Sequence, residues 1–201
     1  ILILSLGFMF LFFGYDGTQQ HLTTYFSNAG MKDIAFYALT LVYIFFGVSN
    51  LFAASFISKF GTKNSLSLAS IVYIAFMVSV AIKSHILTLM LAPILGIAAA
   101  LLWNSQAAHL IKSSALREYG KNSGFFVTMK NTGTVAGFII ASIIIKKCGM
   151  DMMYLVYFGV ASISVVMFLS LKENFTTSAT PIKSMKLIWK ILSNKWICLS
   201  A

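Results

Sequence analysis

Residues Leu91 to Leu110 read LAPILGIAAALLWNSQAAHL. A bilayer crossing takes ~20 mostly apolar residues, and this run supplies them without a single acid, lysine or arginine. Wound as a helix at ~100° per residue, it places Gly96, Ala99, Ala100, Trp103 and Ala107 on one arc, with Asn104 and Gln106 on its two flanks. Small residues on a membrane helix most simply make a seam where a neighbouring backbone comes close, and that is the expectation for Gly96, Ala99 and Ala100. Two readings stay open for Trp103, Asn104 and Gln106: they are tied off within that packing, or they face a polar cavity.

The remainder of the chain repeats the pattern. Of its 201 residues 59% are hydrophobic and 10% charged, with a mean hydropathy of +0.87, values far outside the soluble globular range. Six windows are long enough to span, roughly 2–26, 34–57, 65–82, 86–111, 123–145 and 152–171. None shows the ~10-residue alternation of an outer-membrane barrel, so the expected class is an all-α membrane protein. No small-residue cleavage pattern follows the long first run, so a signal peptide is not expected.

The expected organisation is a six-helix transmembrane domain over 1–171, a cytoplasmic linker with an amphipathic basic helix over 172–195, and the start of a seventh span at 196–201. In the linker Ile182, Met185, Ile188, Trp189 and Leu192 share one arc and Lys183, Lys186 and Lys190 another, a pattern suited to the surface of an anionic leaflet. The first residue is Ile1, and NKWICLSA at the end resembles the opening of another apolar run, so the chain reads as a fragment of a longer protein. Catalysis, metal binding and cofactors are not expected. His21, His85 and His109 are far apart, with no nucleophile or metal-ligand spacing around them, and Cys148 and Cys198 fall on opposite sides of the membrane.

Positive residues are retained on the cytoplasmic side. Segments after spans two, four and six hold Lys59, Lys63, Lys112, Arg117, Lys121, Lys172, Lys183, Lys186, Lys190 and Lys195; the alternate set holds Lys32, Lys83, Lys146 and Lys147. The expected N-terminus is therefore cytoplasmic, in a plasma membrane or endomembrane. The net charge of +10 is mainly this orientation signal and implies no nucleic-acid partner. Asn174-Phe175-Thr176 forms a glycosylation sequon, which this orientation leaves unmodified.

Charges inside spans are costly and mark functional or satisfied sites. Span one carries Gly7 and Gly14 on one side and Asp16, Gln19, Gln20 and Thr23 nearly opposite; span two carries Asn50. Span five places Lys130, Thr134, Gly137 and Ala141 along one face, with Asn131 beside Lys130. Gly133 and Gly137 make a small-x-x-x-small pair for helix packing. Lys130 either snorkels to the inner surface or faces the interior near Asn104, reaching Asp16 through water. Asp16 is either satisfied by a neighbouring helix or serves as a site residue.

Ala54 to Lys63, AASFISKFGTK without its first Ala, resembles the loop between the second and third helices of the major facilitator superfamily, G-x-x-x-D-R-x-G-R-K: Lys59, Gly61 and Lys63 match, while Ala54, Ser58 and Thr62 replace Gly, Asp and Arg. The resemblance implies one six-helix half, the N-terminal one, in which helices one, two, four and five surround a central pathway and helices three and six pack outside against lipid. The in-span acids, amides and lysine fall in spans one, two, four and five, as that arrangement implies.

Leu95 to Leu110 is more specific. It is similar to the G-x-G-A-A-x-L-W-x-x-Q-G-x-Y-L stretch of the Unc-ninety-three ("uncoordinated") family, with Gly96, Ala99, Ala100, Leu102, Trp103, Gln106 and Leu110 in place and Ala107 and His109 replacing Gly and Tyr. Asp16 to Leu22, DGTQQHL, resembles that family's polar first helix. Members are known as regulatory subunits of potassium channels, and a relative escorts Toll-like receptors. The resemblance thus implies a non-enzymatic protein that binds other membrane proteins. The other expectation is a solute transporter with a site formed by Asp16, Gln19, Gln20, Asn50, Trp103, Asn104, Gln106 and Lys130. Both involve the lipid bilayer, and transport also needs a second six-helix half or another copy.

Overall fold

A computed structural model describes residues 1–28, 32–115 and 117–172. The described residues form six helices and no strand: α1 (Leu2–Asn28), α2 (Lys32–Phe60), α3 (Thr62–Ala81), α4 (His85–Ser113), α5 (Tyr119–Cys148) and α6 (Met150–Leu169). Each is long and apolar enough to cross a membrane, so the chain is an all-α, multi-pass membrane protein with the helix complement of one major facilitator half. Several helices run past their apolar windows. α5 starts at Tyr119 rather than 123 and α2 reaches Phe60 rather than 57, because polar residues continue the hydrogen-bonded helix where it meets the headgroups. The expected basic helix within 172–195, the span opening at 196–201, Asn174 and Cys198 lie outside the described residues, except for the exposed Lys172.

The connections on both sides are short. α2 passes into α3 at Gly61 (φ 84°) and α5 into α6 at Gly149 (φ 85°), a backbone region that glycine enters without a Cβ clash. Between α3 and α4, Lys83 also takes a positive φ of 58°. The Ser84 hydroxyl then caps α4 by accepting from the Leu87 N–H. Lys83 reaches Asp151 at the start of α6 (3.8 Å), an exposed ion pair that puts those two helix ends on the same side.

α1 is the central helix, packed against α5 and α6 and more lightly against α2 and α3; α4 packs on α2 and α3, and α3 on α6. Its buried Leu4, Phe8, Leu11, Phe12, Tyr15, Leu22 and Phe26 form the middle of the core. Phe8 touches Phe126 of α5, Phe168 of α6 and Trp103 of α4 edge-on, at centroid distances of 4.9, 5.6 and 5.6 Å. These rings tie four helices together where the bilayer itself offers no hydrophobic driving force.

The small residues lie where backbones meet. A Cβ on Gly96 would strike the Val42 carbonyl of α2, and one on Gly133 or Gly137 would strike the Met9 or Phe13 carbonyl of α1. Ala99 and Ala100 are buried beside them on α4.

α3 is more enclosed than an outer placement implies, although Leu68, Ile71 and Val78 on it stay exposed. Its apolar window is 56% buried, against 17% for α2 and for α5. Ser65, Ser70, Tyr73, Phe76, Met77 and Ser79 are all buried. A helix without charge reads equally as lipid-exposed or as enclosed by other helices, and here small serines let α4 and α6 close over it.

Candidate functional site

The central polar group is an ion pair between α1 and α5. Lys130 Nζ lies 3.2 Å from Asp16 Oδ2, and the Thr134 hydroxyl donates to the same oxygen at 2.6 Å. Lys130 and Thr134 stand one helical turn apart, so both side chains descend on one α1 position. The backbones are near enough because Gly133 and Gly137 lie directly on the Met9 and Phe13 carbonyls of α1. Tyr157 of α6 closes the seam from the other side: its hydroxyl donates to the Gly137 carbonyl at 3.3 Å. About four-fifths of each charged side chain is covered. An ion pair so enclosed is tolerated only when further hydrogen bonds satisfy its lone pairs, and Thr134 provides one.

Lys130 also sits over the Phe12 ring, 4.6 Å from its centroid. It therefore neither snorkels to the surface nor needs a water to reach Asp16. Trp103 is one ring further on, packed on Phe12 at 5.5 Å. Its place is in the aromatic core of α1 and α4, with no direct contact to the ion pair among the ring interactions.

Above Asp16 the space between α1, α2 and α5 opens into a cleft of about 480 Å³ lined by Asp16, Gln19, Gln20, Thr23, Leu39, Thr134 and Phe138. Gln19 is oriented by donating from Nε2 to the Tyr43 hydroxyl of α2 at 2.9 Å, while Gln20 and Thr23 are exposed. Asp16 to Thr23 covers about 10 Å along α1 at ~1.5 Å per residue, so the cleft rises from mid-helix toward the C-terminal end of α1.

Asn50 and Asn104 form a separate group. Asn104 Nδ2 donates to Asn50 Oδ1 at 2.6 Å and to the Ala100 carbonyl at 2.8 Å, while Asn50 Nδ2 donates to the Phe46 carbonyl at 2.7 Å. The pair bridges α2 and α4, whose contact is set by Gly96. Gln106 is buried on α4. Of the residues expected to share one site, the structure thus brings Asp16, Gln19, Gln20 and Lys130 together and places Asn50, Asn104, Trp103 and Gln106 outside the cleft lining.

At the α2–α3 turn, Lys59 is exposed with its ammonium 5.8 Å from the Phe60 ring, Gly61 makes the turn, and Lys63 follows in the first turn of α3. Ser58, standing where the motif has its acid, donates to the Ser55 carbonyl at 2.8 Å.

Thr134, Tyr43, Leu39, Phe138 and Phe12 join the site without having been singled out for it. Thr134 was legible as the i+4 neighbour of Lys130. Tyr43 carried no signal, being one of several aromatic residues on an apolar helix.

Comparison with known proteins agrees with the motif in α4. A family model described as "Ion channel regulatory protein UNC-93" matches residues 29–197. The UNC93-like protein MFSD11 of Xenopus laevis is 31% identical over 130 residues, covering 63% of this chain and 29% of that protein. The Xenopus tropicalis protein of the same name is 30% identical over 130 residues, with the same coverage of 63% and 29%. Protein unc-93 homolog A of Bos taurus is 28% identical over 155 residues, covering 72% of this chain and 33% of that protein. The chain spans about a third of the length of these relatives. No solved structure matches it.

Proposed function

The chain belongs to the UNC-93 family, and from that premise we propose that it regulates or escorts other membrane proteins, a potassium channel being the partner class the family implies. The family match over 29–197 carries this reading. Two features of the residues support it. Asp16, the one acid away from a helix end among the described residues, is neutralised by Lys130 and accepts from the Thr134 hydroxyl, and the α2–α3 turn has Ser58 where the major facilitator motif has an acid. The proposed orientation has the N-terminus in the cytoplasm, because Lys59, Lys63, Lys112, Arg117, Lys121 and Lys172 then lie on the inner side.

Co-expression with a panel of potassium channels tests the proposal. The expected result is a change in whole-cell current or in channel surface abundance, with the channel recovered in the same detergent complex. Unchanged current, surface abundance and recovery across the panel would reject it.

The cleft above Asp16 favours a second reading, a major facilitator solute transporter completed by a second six-helix unit. Solute accumulation in vesicles, lost in Gln20→Leu, would support that reading over the first.

A further inference from the structure

We propose that the cleft between α1, α2 and α5 binds a small uncharged polyol, and that Lys130 is a built-in counter-ion that excludes charged ligands from it. An aspartate in the middle of a span ordinarily marks a place for a cation. Here the cation is already part of the protein. Asp16 Oδ2 receives Lys130 Nζ at 3.2 Å and the Thr134 hydroxyl at 2.6 Å. The ammonium also lies over the Phe12 ring, 4.6 Å from its centroid. Lys130 does not line the cleft, whereas Asp16 and Thr134 do.

The floor is therefore polar and carries no net charge. An entering cation meets a carboxylate already compensated at Oδ2 by Lys130 and Thr134, and an entering anion meets that carboxylate with no positive group among the lining residues. Either ion leaves one charge uncompensated in a largely desolvated place, which is strongly unfavourable.

The other polar groups match the same class of ligand. Gln19, Gln20 and Thr134 offer amide and hydroxyl donors and acceptors without charge. Gln19 is oriented by its bond to Tyr43, which lowers the entropic cost of presenting its amide to a ligand. Leu39 and Phe138 supply apolar walls. Amides for hydroxyls and an aromatic face for C–H groups are the complement of a ring polyol, and about 480 Å³ lies within the usual range for small-molecule pockets. The inference is independent of the regulatory reading and holds for a ligand that is carried or merely held.

The test uses the full chain in nanodiscs, with Cys148 and Cys198 changed to Ser and Thr23→Cys as a reporter in the cleft. The rate of maleimide labelling is measured with myo-inositol, choline or gluconate at equal concentration. The expected result is severalfold slower labelling with myo-inositol and no protection by the two ions. Lys130→Gln uncovers Asp16, so protection should shift to choline. Gln20→Leu, at an exposed position that leaves the ion pair intact, should abolish protection by myo-inositol, read as the ratio of labelling rates with and without ligand in that same variant. Equal protection by choline or gluconate in the parent chain, or labelling unaffected by all three compounds, would overturn the proposal. The readout contains no channel, so its failure is separate from failure of the regulatory reading.

Discussion

Lys130 of α5 and Asp16 of α1 meet at 3.2 Å with 19% and 21% of their side chains open. Each is thus the other's main compensation inside the bundle, with Thr134 and the Phe12 ring completing the shell. Neutralising one member leaves the other charged in a poorly solvated place. Asp16→Asn or Lys130→Met should each cost about 2–3 kcal/mol, below the ~3–5 typical of fully buried pairs because a fifth of each side chain is open. Thermal unfolding of the detergent-purified protein, followed by size-exclusion fluorescence, checks this. The double change should cost less than the sum of the single ones, and strict additivity would deny the coupling.

The α1–α5 seam depends on the absence of side chains at two positions. A Cβ on Gly133 or Gly137 meets an α1 carbonyl, while one on Gly124, in the same helix, meets nothing within 4 Å. Gly137→Leu should destabilise by about 1–3 kcal/mol through overpacking and lower the yield of monodisperse protein. Gly124→Leu is the matched control and should be close to neutral. Equal behaviour of the two would mean that α5 does not lie on α1 at this register.

The Asn50–Asn104 bond at 2.6 Å is a membrane interhelical hydrogen bond, a class averaging about 0.6 kcal/mol and reaching about 1.7. The coupling energy between Asn50→Leu and Asn104→Leu should fall within that range. A double-mutant cycle on unfolding free energies measures the pair directly, and a coupling of zero would show that the two amides act separately. Neither change should alter maleimide labelling at residue 23, since these amides are not part of the cleft lining.

Orientation has its own test. Lys83 and Asp151 share one side of the bundle, and the α2–α3 turn at Gly61 lies on the other. In a background with Cys148 and Cys198 changed to Ser, Lys83→Cys should react with an impermeant maleimide on intact cells. Lys59→Cys should react only after permeabilisation. The reverse pattern would invert the proposed topology.

The order of spans was legible because a bilayer imposes a length and an apolarity that each segment satisfies by itself. Family membership was legible for a similar reason: Gly96, Ala99, Ala100, Leu102, Trp103 and Gln106 lie within a few turns of one helix. Helical periodicity also showed that Lys130, Thr134 and Gly137 share a face and that Asp16 stands opposite Gly7 and Gly14. A period fixes the direction of a side chain from its own axis, but it does not say which axis lies alongside.

That choice was made by close backbone approach. Gly133 and Gly137 bring α5 onto α1, so Lys130 and Thr134 converge on Asp16, while Gly96 brings α4 onto α2, so Asn104 is taken by Asn50. The residues that read as one polar site divided for that reason into the Asp16 group and the Asn50–Asn104 pair, with Trp103 and Gln106 in neither. The burial of α3 was settled in the same way, since only the neighbours of an uncharged helix distinguish lipid on its surface from protein. Sequence alone determined that this is a six-span UNC-93-type membrane domain with charges in spans one and five; the tertiary structure determined that those charges neutralise each other, because pairing depends on interhelical distance and distance is set by where the small residues let backbones touch.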